Sequence, residues 1–274
     1  MKQRVMTGIL LVVLLGAIVY LGGWWLRGAI LFLMAVSMHE MYAAFAGKGM
    51  RPVRAGLGLP ALLLLAILFV PAQRLMEGAL VSMALLGAVG IGAIVLRGHV
   101  DYEGAVSSVL PLLYPGLFYV LMLDLTLGGG GMEQRILFAL LFLVPSMNDC
   151  FALFAGTALG KRKLAPEISP KKTVEGSIGG LVAAVLFAVA IPYLIGAMYG
   201  VEATALEPVW KYALFGLAAG ALSQIGDLAA SLFKRHCGIK DFGKIFPGHG
   251  GVLDRLDGVL FASLAAHAFF RLMG

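Results

Sequence analysis

Charge is scarce in this 274-residue chain, and much of it is gathered between Asp227 and Gly258. Asp227, Ser231, Lys234 and Arg235 stand at i, i+4, i+7 and i+8, which places them on one face of a helix. A loop follows with Lys240, Asp241, Lys244 and the run Pro247-Gly248-His249-Gly250-Gly251. Asp254 and Asp257, at i and i+3, point the same way once a helix restarts. Carboxylates supply the hard oxygen ligands that suit magnesium. Lysine, arginine and glycine amides suit phosphate oxygens. Their alternation in one short segment points to metal-assisted chemistry on a phosphate.

Two further regions belong with this one. Asn148-Asp149 lies inside an apolar run. An acid within a membrane span costs at least about 2.5 kcal/mol, so Asp149 is expected to face a polar interior. Gly156 and Gly160 follow it at i+7 and i+11 and open that face to close approach. Lys171 and Lys172 then precede a helix start, with Thr173 as its N-cap and Glu175 in its first turn. Free amides at a helix start beside two lysines make an anion site; the competing reading is a basic loop drawn to anionic lipid. Asp227 and Asp254, with Asp257 or Asp149 as further candidates, repel one another unless a cation neutralises them, which favours a metal. His249, between glycines, reads as a ligand or a phosphate contact. His39 and Glu40 either line the cavity or simply sit at the interface, and the second reading is preferred because no partner motif surrounds them. Cys150 and Cys237 read as small unpaired thiols.

These residues need elements to hold them, and composition says which. The chain is 60% hydrophobic and 13% charged, against about 25% charged for a soluble domain. That defines a polytopic membrane protein. The expected fold is all-α, with about nine transmembrane helices and a polar cavity facing the cytoplasm. The spans fall near 6–22, 24–46, 54–72, 76–96, 104–124, 134–156, 176–198, 208–233 and 255–272. The first reads as a span rather than a cleaved leader, since others follow at once. Residues 1–130 read as scaffold with possible dimer contacts, and 131–274 as the catalytic region with two basic loops. A cytoplasmic N-terminus puts both basic loops in the cytoplasm, as the positive-inside rule prefers. Gly128–Gly131 lacks the ending of a phosphate loop and reads as a flexible turn. The net charge of +6 does not indicate nucleic acid, because the basic loops carry no aromatic stacking platform.

The residues also carry a family pattern. Ser231-x-Phe233-Lys234-Arg235, then Lys240-Asp241-x-Gly243, then Phe246-Pro247-x-His249-Gly250-Gly251-Val252-x-Asp254-Arg255-Leu256-Asp257, resembles the signature of phosphatidate cytidylyltransferases, also called CDP-diacylglycerol synthases. Ser169-Pro170-Lys171-Lys172-Thr173-x-Glu175-Gly176 is similar to that family's second motif. Asn148-Asp149-Cys150-Phe151-Ala152 departs from the family's aspartate, threonine, alanine and tyrosine pattern after the aspartate. The resemblance covers roughly the C-terminal half. It implies that CTP and phosphatidic acid give CDP-diacylglycerol and pyrophosphate. It also implies magnesium, with a second cation left open, a bacterial inner-membrane location and a homodimer. On this resemblance Asp227, Lys234, Asp254 and Asp257 are expected to be catalytic, and Asp149, Asp227, Asp254 and Asp257 to ligate metal. Ser169, Lys171, Lys172, Thr173, Ser231, Arg235, Lys240, Asp241, His249, Gly250, Gly251 and Arg255 are expected to bind substrates. Gly250 and Gly251 would let backbone amides approach phosphate. No dedicated base is needed, because a phosphate monoester has its second pKa at about 6.

Other classes fit the residues taken without the resemblance. A transporter of an anionic solute would use intramembrane acids such as Asp149. A related transferase would act on another lipid phosphate. A structural membrane protein would use its basic loops to hold lipid. Formation of a liponucleotide separates the first and last of these from the enzyme.

Overall fold

The computed structural model describes residues 13–127, 131–200, 206–246, 248 and 250–273. A helix over 13–21 (α1) leads into α2 (Gly23–Gly47), α3 (Leu59–Phe69) and α4 (Leu75–Val95). Next come α5 (Tyr102–Pro111), a π-helical turn (Leu112–Leu117) and α6 (Phe118–Asp124). Pro111 precedes this turn and Pro115 lies within it, next to Tyr114, which leaves helical geometry, so a kink falls where prolines remove backbone donors. Helix α7 (Met132–Leu159), strands β1 (Lys163–Ala165) and β2 (Ser169–Thr173), and helices α8 (Val174–Met198), α9 (Val209–His236) and α10 (Leu253–Met273) complete the order.

Six helical stretches among the described residues are long and apolar enough to cross a membrane: Gly23–Gly47, Ala72–Val95, Tyr102–Asp124, Met132–Leu159, Val174–Met198 and Val209–His236. Only 28% of the apolar window of Ala72–Val95 and 33% of that of Val174–Met198 is buried within the protein. Their remaining apolar surface requires lipid, and the chain is an integral membrane protein. The expectation of nine spans adds three stretches to these six. Leu59–Phe69 has 11 residues, about 16 Å of rise against a hydrocarbon core of about 30 Å. Leu253–Met273 carries Asp254, Arg255, Asp257 and Arg271. The first span falls partly outside the described residues. The described residues are helical as expected, with one short hairpin between α7 and α8. β1 and β2 pair antiparallel, Lys163 opposite Thr173 and Ala165 opposite Ser169.

The chain divides into two compact units, Met1–Gly128 with Phe233–Leu256, and Gly129–Leu232 with Asp257–Gly274. In the first, α2 is the central element. Its Met34, Met38, Met41, Tyr42 and Phe45 are buried. Ser37 and Tyr119 share a hydrogen bond of 2.8 Å, and Tyr42 donates to the Ser108 carbonyl at 2.9 Å. In a span such bonds satisfy hydroxyls that lipid would leave bare.

In the second unit small residues set the packing. A Cβ on Gly176 would lie 2.6 Å from the Ala152 carbonyl, and one on Gly180 2.7 Å from that of Asn148, so α8 rides directly on the α7 backbone. On Gly216 it would lie 2.7 Å from the Ala184 carbonyl, and on Gly226 2.5 Å from that of Asp257. Helices in lipid associate through such close backbone approach rather than through a hydrophobic drive. Gly180→Val should therefore destabilise the protein by about 1–3 kcal/mol, read as a lowered unfolding temperature in detergent. Gly92→Ala, where a Cβ meets nothing within 4 Å, should leave that temperature unchanged.

Candidate functional site

Each unit has a polar centre among its described residues. That of the second unit is a cavity of about 570 Å³ whose lining includes Asp149, Lys163, Lys171, Lys172, Gln224 and Asp227. Three elements with local causes bring these residues together. Asp149 stands on α7. The lysines come from the hairpin, which ends at α8 because Thr173 is extended and its hydroxyl accepts from Gly176 N at 3.1 Å. Glu175, in the first turn of α8, accepts from the Lys161 and Arg162 amides at 3.0 and 3.2 Å and ties the hairpin's entry to its exit. Asp227 comes from α9, where its carboxylate pairs with Lys172.

Behind the cavity wall lies an amide network. Asn148 is fully buried. Its Nδ2 donates to Ser223 Oγ at 3.1 Å, and its Oδ1 accepts from Gln224 Nε2 at 2.9 Å. Gln224 Nε2 also donates to the Ser177 carbonyl at 3.0 Å, and the Ser177 hydroxyl donates to Gln224 Oε1. The network joins α7, α8 and α9. Asn148 precedes Asp149, and Gln224 precedes Asp227 by one turn, so it fixes the rotation of the helices that carry both acids.

The first unit's centre is the loop between α9 and α10. Asp254 is 6% exposed. Its Oδ2 accepts from Phe242 N at 2.7 Å and Gly251 N at 2.9 Å, and its Oδ1 accepts from Lys234 Nζ at 2.9 Å. Glu40, on α2 and 4% exposed, accepts from Val252 N at 3.0 Å and Leu253 N at 2.9 Å. These are amides at the start of α10, which have no intrahelical acceptor. The two carboxylates therefore occupy three successive amides. The Gly251 amide, expected to approach phosphate, donates to Asp254 Oδ2. The glycines make room for the acids: a Cβ on Gly243 or Gly251 would run into the Glu40 carboxylate. Gly250 adopts φ +82°, and a Cβ there would lie 2.8 Å from Asp254 Oδ2.

The four aspartates expected as one metal set are thus placed by different partners. Asp149 and Asp227 line one cavity. Asp254 is engaged by Lys234 and two amides. Asp257 Oδ1 accepts from Gly258 N at 2.8 Å. Among the described residues no group of three or more His, Cys, Asp or Glu is arranged to hold a metal ion. Lys171, Lys172 and Thr173 line the cavity from β2, and Ser169 opens the same strand. Ser231, Lys234 and Arg235 follow Asp227 along α9 as the spacing predicts. Arg235, Lys240, Asp241 and Arg255 are exposed. His249 and Pro247 lie outside the described residues. Both cysteines are free, and burial pushes the Cys237 thiol above its usual range, which keeps it protonated and inert at neutral pH. Glu40 is the residue that sequence reasoning missed. Its partners lie more than 200 positions away, and no local spacing marks it.

Apolar spans and a cavity of lysines and aspartates define a helical integral membrane protein with a charged site. The chain belongs to the cytidylyltransferase family, whose model matches residues 2–273. It is 32% identical over 272 residues to the phosphatidate cytidylyltransferase of Bacillus subtilis (strain 168), covering 95% of this chain and 94% of that one. The phosphatidate cytidylyltransferase of Synechocystis is 30% identical over 303 residues, with 99% and 97% covered. That of Brucella abortus (strain 2308) is 44% identical over 129 residues, and this match spans 44% of the relative's length.

Removing Lys234 should leave the Asp254 charge buried without its cation. Lys234→Met is expected to lower stability by about 3–5 kcal/mol, measured as thermal unfolding in detergent. Arg255→Met, at an exposed position, should change it by less than about 1 kcal/mol.

Proposed function

We propose that this chain transfers a cytidylyl group from CTP to phosphatidic acid, giving CDP-diacylglycerol and pyrophosphate for phospholipid biosynthesis. The observation that carries the reading is the cavity in which Lys163, Lys171 and Lys172 stand with Asp149 and Asp227. It is supported by full-length relatives named for that activity. A volume of about 570 Å³ suits a small polyanion.

The residues would divide the work as follows. Lys171 and Lys172 hold the triphosphate, and Lys163 adds to the field that draws it in. The phosphate oxygen of the lipid attacks the α-phosphorus of CTP in line. The bond from that phosphorus to the bridging oxygen breaks, and its electron pair leaves with pyrophosphate. Both reactants are anions, so the protein's contribution is neutralisation and alignment. Asp149 and Asp227 fit a hard cation, since magnesium is commonly held by one or two carboxylates with phosphate oxygens completing its shell. When bound, that ion would neutralise charge on the phosphates and the leaving group. Lys234 and Asp254 fix the loop that carries Lys240 and His249, and Arg235, Lys240 and Arg255 are the exposed cations assigned to phosphate. Ser169, Ser231, Asp241 and Asp257 are assigned supporting contacts in the same reading. A bacterial inner-membrane site, a cavity opening to the cytoplasm, a cytoplasmic N-terminus, nine spans and a homodimer belong to this proposal as well.

The test is product formation by purified protein in mixed micelles with labelled CTP, phosphatidic acid and magnesium. A liponucleotide should form, chelation of magnesium should stop it, and Asp227→Asn should lower kcat by about 10²-fold or more. Wild-type turnover in Asp227→Asn would remove Asp227 from the site. No liponucleotide from the wild type would overturn the reaction.

A further inference from the structure

We infer that Glu40 is a positioning residue for the reaction, acting through the start of α10 on Asp254 and the loop before it. The inference rests on the proposed transfer reaction. Glu40 belongs to none of the motifs that carry chemistry, and it sits in the first half of the chain, in a membrane-spanning helix. Yet its carboxylate accepts from Val252 N and Leu253 N at 3.0 and 2.9 Å, and it is buried. The next amide upstream, Gly251 N, donates to Asp254 at 2.9 Å. One acid from α2 and one from α10 thus share a single run of amides, and neither can shift without turning the peptides that hold the other.

Three features argue that the arrangement is more than space filling. A carboxylate placed at a helix N-terminus is favoured by the helix dipole and by the bare amides together. Gly243 and Gly251 each lack the Cβ that would strike Glu40, so two loop positions are shaped around this one side chain. The residue held on the far side of the amide run, Asp254, also takes Lys234 and Phe242 N, which are the loop's two ends of attachment to α9 and to itself. Glu40 therefore sets the angle at which the loop leaves α10. A displacement of about 1 Å at a reacting group costs on the order of 10² in rate, so the prediction is a defect in turnover more than in binding.

The experiment compares wild type, Glu40→Asp and Glu40→Gln, purified in detergent, with kcat and the KM for CTP measured per folded molecule. Glu40→Asp keeps the charge but withdraws it by one methylene. Glu40→Gln keeps the length but offers one acceptor where two amides donate. Both should lose about 10²-fold in kcat with the KM for CTP changed by no more than about twofold. Hydrogen exchange at amides 252 and 253 should quicken in both. A purely structural role would instead lower the unfolding temperature and leave kcat per folded molecule intact, which overturns the inference. Glu40→Asp decides the matter if Glu40→Gln fails to fold. A wild type that forms liponucleotide beside a Glu40→Asp variant of normal kcat sinks the role of Glu40 alone. A wild type that forms none sinks the reaction and this role with it.

Discussion

The amides at the start of α10 need acceptors, and the first unit is built around supplying them. A buried amide left unpaired costs about 1–3 kcal/mol. Here three successive amides are met by Glu40 and Asp254. Burying two carboxylates is itself costly unless each is bonded and its charge balanced. Lys234 supplies a cation to one, and the helix start supplies partial positive charge to both. The demand explains the glycines at 243 and 251 and the positive φ at Gly250. It also explains why the segment from Phe233 to Leu256 belongs with the first helices of the chain rather than with its sequence neighbours.

The second unit solves a different problem, that of fixing helices where water gives no hydrophobic drive. Glycines 176, 180, 216 and 226 bring backbones into contact, and the Asn148–Gln224–Ser177–Ser223 network locks the rotation of three helices. Both devices are typical of packing in lipid. Their consequence is chemical: Asp149 and Asp227 reach one cavity from different helices, and the hairpin delivers lysines to it. The Lys172–Asp227 pair shows opposite charges already balanced there. Such a site, with three lysines beside two aspartates, is suited to a polyanion.

Family membership and the local geometry support one another without overlapping. The comparisons identify a cytidylyltransferase along nearly the whole chain. They do not say which lysine or aspartate does what. The geometry gives the partners: Asp149 and Asp227 line a cavity, and Asp254 accepts from Lys234 and two loop amides.

Sequence alone determined whatever depends on neighbours within a few turns. Apolar runs demanded lipid-facing helices, Thr173 had to cap α8, and the spacing of Asp227, Ser231, Lys234 and Arg235 had to fall on one helix. These follow from the 3.6-residue period and from bare amides at a helix start. The signature was legible because its charges and glycines are contiguous. Tertiary structure decided what depends on distant partners. Glu40 accepts from Val252 N and Leu253 N, positions that no local pattern connects to it. The meeting of Asp149 and Asp227 at one cavity was decided in the same way. In both cases the deciding term was the placing of a polar group against residues far along the chain, which no local spacing encodes.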